Sequence, residues 1–132
     1  MVLANASSAQ DRVYKGRLSP VPLDTTMFST VAGVGSVTAT LSGQRMTFSG
    51  TFSGLRSPAT TVVLRRAVRG TRGPVVASLE TTTGTSGEIS GSVPVTPQLL
   101  QDLERTMLYV QLQSEKAPDG NLWGWLFVQG KQ

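Results

Sequence analysis

Gly35-Ser36-Val37-Thr38-Ala39-Thr40-Leu41 runs into Ser42-Gly43-Gln44 and then into Arg45-Met46-Thr47-Phe48-Ser49-Gly50-Thr51-Phe52. In the first run Val37, Ala39 and Leu41 fall on one face. In the second, Met46, Phe48, Gly50 and Phe52 do. Two period-two runs split by a glycine-containing turn predict a β-hairpin with one face on a core.

Working outward, the same signal recurs. Val13 to Leu18 reads as a strand stopped by Ser19-Pro20-Val21-Pro22. Thr60 to Arg66 is β-branched, and Arg66 to Gly73 is a basic loop punctuated by glycine. Pro74 to Leu79 is a strand, Thr81 to Gly87 a polar turn, and Ser86 to Val93 alternates through Ile89, Gly91 and Val93. One helix is predicted near 97–106: Thr96 caps it, Pro97 suits its first position, and Leu99, Leu100, Leu103 and Met107 recur at helical spacing. Leu108 to Gln113 and Leu122 to Val128 read as the last strands. About eight short strands and one helix predict an all-β, antiparallel Greek-key sandwich or barrel. Residues 1–11 read as a flexible lead and 12–132 as one domain, with no internal repeat or linker.

Composition narrows the function. The 132 residues include no histidine and no cysteine. That removes the usual base at neutral pH, the usual transition-metal ligands and all thiol chemistry. No cofactor and no metal are expected. Twelve basic against eight acidic residues give +4, which attracts anions but is too small to mark a nucleic-acid binder. No stretch approaches the ~18 apolar residues of a spanning helix. Met1 to Gln10 is polar and lacks the apolar core of a signal. The expectation is an extracytoplasmic domain (periplasmic, cell-surface or secreted) whose signal has been removed, with the cytoplasm as the alternative.

The ordered series Gly54-Leu55…Ser57-Pro58-Ala59-Thr60, Gly70-Thr71-Arg72-Gly73-Pro74-Val75-Val76, Val95-Thr96-Pro97, Leu108-Tyr109-Val110, Pro118-Asp119-Gly120 and Gly124 resembles the CHRD domain. This module was first described in chordin and is widespread in exported bacterial proteins. The resemblance spans about Val13 to Leu126. It implies a non-catalytic extracellular binding module. The family's His-x-His pair is matched to Val62 and Leu64, and a further histidine to Gln113. Its polar last strand is replaced by Gly120-Asn121-Leu122-Trp123-Gly124-Trp125-Leu126. Histidine-dependent properties of relatives are therefore not carried over.

That replacement marks the leading site. Trp123, Trp125 and Phe127 alternate on a strand whose other face carries Leu122, Leu126 and Val128. A strand apolar on both faces is either buried twice or turned toward a partner. With Tyr109, Gln113, Val62 and Leu64 on the same side, it predicts a contact surface for a protein partner or a second copy. The alternative is a cap of the core beneath long loops. A second candidate is Arg65, Arg66, Arg69 and Arg72, whose guanidinium forks suit an anion such as an acidic polysaccharide or a lipid headgroup. Against it stands an ordinary solvated loop. Nucleic acid is not expected there, because no aromatic platform is interleaved. Glu80 and Glu88 flank one turn and are the only carboxylate pair to weigh for a hydrolase. Ordinary surface residues explain them better. Glu115, Asp119 and Asn121 offer oxygen atoms to calcium, but their spacing fits no calcium loop.

Overall fold

The computed structural model describes residues 12–20 and 32–129; the expected lead, 1–11, lies outside them. Among the described residues, nine strands and one helix follow in order: β1 (Arg12–Pro20), β2 (Val34–Ser42), β3 (Arg45–Ser53), β4 (Ala59–Arg66), β5 (Val75–Thr81), β6 (Gly87–Pro94), α1 (Pro97–Glu104), β7 (Leu108–Ser114), β8 (Ala117–Trp125) and β9 (Phe127–Val128).

The predicted hairpin is β2–β3, paired from Val34↔Ser53 to Ser42↔Arg45. Its two-residue loop places Gly43 at φ 61°, the left-handed value that such a hairpin asks of its first loop position. All strand pairings are antiparallel. The spatial order is β2-β3-β6-β5-β4-β7-β8-β1, and β1 pairs again with β2. The sheet therefore closes into an eight-stranded barrel and leaves β9 as a short extension beside β1. Because β6 returns beside β3 and β7 beside β4, the order contains two overlapping Greek keys.

Alternation fills the barrel. Leu18, Val37, Phe48, Val62, Leu64, Ile89, Val110, Leu112 and Leu122 are sealed in one core. Helix α1 carries the crossover from β6 to β7. The Thr96 hydroxyl accepts from the Leu99 N–H at 3.1 Å, Pro97 opens the helix, and Leu99 and Leu103 are buried. Leu100, expected on the buried face, is exposed. Asp102 is buried instead, and its carboxylate accepts from Arg66 Nε at 2.6 Å and from Gln98 Nε2 at 2.9 Å. This ion pair fastens the helix to the end of β4.

The helix ends in a Schellman turn. Thr106 N–H donates to Leu103 C=O at 3.2 Å, and Met107 N–H to Asp102 C=O at 2.8 Å. Thr106 stands at the position that usually holds glycine, with φ 56°.

The last expected strand, Leu122–Val128, proves to be two pieces. Strand β8 starts earlier, at Ala117, and stops at Trp125. At Leu126 the chain leaves the ladder, its N–H donating to Leu108 C=O at 3.0 Å, and resumes as β9. No helix among the described residues is long and apolar enough to cross a membrane.

Candidate functional site

Strands β7 and β8 pair with Tyr109↔Trp125, Gln111↔Trp123 and Leu112↔Leu122. Since Leu112 and Leu122 point into the core, Tyr109, Gln111, Trp123 and Trp125 point outward. Strand β4 lies on the other flank of β7, with Val63 opposite Gln111 and Arg65 opposite Tyr109. The outer face of these three strands is thus built from an aromatic row, an amide row and the stem of an arginine.

A loop closes over part of this face. After β4 the chain turns at Ala67 and runs back toward β5 at Pro74. The Trp125 indole N–H donates to the Ala67 carbonyl at 3.0 Å. Gly73 N–H donates to the Tyr109 hydroxyl at 3.1 Å, and Arg65 Nη1 donates to the Gly73 carbonyl at 2.8 Å. Ala67, Tyr109 and Trp125 form a second small core outside the barrel, with Tyr109 at 0% and Trp125 at 6% exposure. Burying aromatic area of this kind is worth roughly 2–3 kcal/mol per ring. The two-sided apolarity of β8 has its cause here: one side faces the barrel and the other faces the loop.

Trp123 sits at the margin of the cover, partly buried against this second core. Its ring meets Tyr109 edge-on (5.7 Å between centroids, 85° between planes) and Trp125 likewise (4.7 Å, 71°), while Tyr109 and Trp125 stack at 4.4 Å and 27°. These are the offset and edge-to-face arrangements that aromatic quadrupoles favour. The three rings fix one another, so Trp123 presents its remaining surface in a set orientation. Gln111 is buried beside it, and Gln113 Nε2 donates to Gln111 Oε1 at 3.2 Å.

The family model described as the CHRD domain matches residues 6–126. The chain belongs to the CHRD domain family. No curated protein and no solved structure matches the chain.

In this CHRD domain the expected contact side needs correction. Val62 and Leu64 are both at 0% exposure and point into the barrel. They do not share the face of Tyr109, Trp123 and Gln113. The two-residue period puts Val63 and Arg65 there instead. Phe127 is separated from Trp125 by the break at Leu126 and lies exposed on β9, beneath the Arg69 guanidinium at 5.4 Å from the ring centroid. Val128 is exposed as well, so it does not continue the inward row of Leu122 and Leu126.

The four arginines do not form one patch. Arg65 reaches over the outer face to Gly73, Arg66 is paired with Asp102 toward the helix, and Arg69 lies over Phe127. Arg72 is exposed in the same loop. Glu80 and Glu88 are both exposed on the outside of β5 and β6. Of the oxygen-bearing trio, Glu115 is exposed, and Asn121 is buried with its amide engaged. Asn121 Nδ2 donates to Ser114 Oγ at 3.0 Å, and its Oδ1 accepts from Ala32 N–H at 3.1 Å. The side chain of Asp119 lies outside the described residues. Among the described residues no three acidic side chains gather as metal ligands would.

Sequence reasoning missed Val63, Ala67 and Asp102. For Val63 the alternation of β4 was a usable signal. For Ala67 no local signal exists, because its role is a carbonyl offered to an indole 58 residues away in the chain.

Proposed function

We propose that this CHRD domain is a non-catalytic binding and assembly module working outside the cytoplasm, and that Trp123 is its leading contact. The observation that carries this reading is the difference between the two indoles. Trp125 is sealed by the Ala67 loop, whereas Trp123 remains partly open on a rigid aromatic base. A partly exposed tryptophan held by neighbours loses little conformational freedom on docking, which is the property of an interface anchor. The partly exposed Gln113, held by its bond to the buried Gln111 amide, adds polar surface at the rim. The simplest partner is a second copy of the chain, presenting the same face across a two-fold axis.

Light scattering over a range of protein concentrations tests this. The expected result is a mass that rises above the 14.0 kDa of one chain and returns to it in Trp123→Ser. A mass that stays at one chain throughout removes self-assembly. A mass that rises equally in Trp123→Ser removes Trp123 as the anchor.

A further inference from the structure

Between the loop after β4 and the end of α1, two tight turns face each other across a groove of about 350 Å³ lined by Val68, Arg69, Arg105, Thr106 and Met107. The first turn is Val68–Thr71. Thr71 N–H and its hydroxyl both donate to the Val68 carbonyl, at 3.0 and 2.6 Å, and Gly70 takes φ 89°. The second is the Schellman turn through Arg105, Thr106 and Met107. The turns are tied together where Ala67 N–H donates to the Met107 carbonyl at 2.8 Å.

Each turn therefore brings one arginine to the same groove, and no carboxylate among the described residues lines it. Arg69 is further steadied over the Phe127 ring. Beside the guanidinium groups the surface is apolar: Val68 is 62% exposed, Phe127 40% and Val128 61%. Thr106 adds the third feature. A β-branched residue at φ 56° carries strain that glycine would not, and strained residues cluster where a ligand is held. Its side chain brings a hydroxyl to the groove that glycine would lack.

We propose that this groove takes an extended acidic peptide segment of a partner protein. Its carboxylates would pair with Arg69 and Arg105, and an intervening apolar side chain would rest on Val68 and Met107. The alternation of guanidinium and apolar surface decides between anions. A sulfated glycan offers nothing to cover Val68 and Met107. A membrane takes projecting apolar tips, and this surface is concave. A peptide with acidic and apolar residues in alternation matches both parts.

The test is fluorescence anisotropy with a labelled hexapeptide alternating glutamate and leucine, at low salt. Saturable binding is expected. Arg69→Gln and Arg105→Gln should each weaken it by about tenfold. Val68→Asp should weaken it at least as much. Arg56→Gln removes the same charge from an exposed position elsewhere and should leave the affinity within about twofold. Absence of saturable binding would overturn the proposal, as would an equal loss in Arg56→Gln. So would tighter binding of a heparin hexasaccharide or of phosphatidylserine vesicles that is lost on the same two arginine changes.

Discussion

The Trp125 indole donates its N–H to the Ala67 carbonyl at 3.0 Å, across the outside of the barrel. This bond joins the last long strand to the loop after β4. It converts one flank of a sheet that alternation alone would leave open into a second core.

Trp125→Phe keeps a ring on Tyr109 but removes the donor, along with part of the buried ring area. The buried Ala67 carbonyl then has no partner in its place. The expected loss is about 1–3 kcal/mol of unfolding free energy. Urea denaturation measures it, and a loss below about 0.5 kcal/mol, the scale of an ordinary surface change, would show that the bond is not what holds the loop.

The Arg66–Asp102 pair has a buried carboxylate (3% exposed) and a guanidinium that is 34% exposed. Removing Arg66 strands a charge against α1 and leaves it the Gln98 amide. Loss of a partner to a buried ion costs about 3–5 kcal/mol. Since the Arg66 side is partly solvated, about 2 kcal/mol is expected for Arg66→Met. Asp102→Leu added to Arg66→Met should restore much of that loss, because no charge is then left unpaired. Thermal unfolding of the two variants decides; equal losses would contradict the account.

Thr106→Gly should stabilise the domain. The left-handed backbone costs a non-glycine residue roughly 1–2 kcal/mol, and the two Schellman bonds of the turn do not depend on the side chain. Offset by the greater freedom of glycine in the unfolded chain, a gain of about 1 kcal/mol is expected. A lower unfolding midpoint would mean that the Thr106 side chain makes a contact worth more than the strain.

The fold was largely legible because local alternation carries it. Val37, Ala39 and Leu41 against Met46, Phe48 and Phe52 define the β2–β3 hairpin without any tertiary knowledge. Thr96 and Pro97 define the start of α1 in the same way. The site was legible only in its sequence-local half. The apolar excess of β8 was visible, but its cause was not, since Ala67 and Gly73 reach Trp125 and Tyr109 through backbone groups that every residue possesses. The misplacement of Val62 and Leu64 has a simpler source. Thr60 to Arg66 has three consecutive apolar residues, Val62, Val63 and Leu64, and a continuous run does not say which face is inward. The pairing of Val63 with Gln111, not the run itself, resolves it.

The most direct test of Trp123 as the contact residue follows each indole separately. Trp125→Phe leaves Trp123 as the sole tryptophan, and Trp123→Phe leaves Trp125. Acrylamide quenching of each variant is measured as protein concentration is raised through the range where scattering mass increases. Trp123 should become shielded and its emission should shift to the blue, while Trp125 stays shielded throughout. A Trp123 whose quenching is constant while the mass grows would contradict the account.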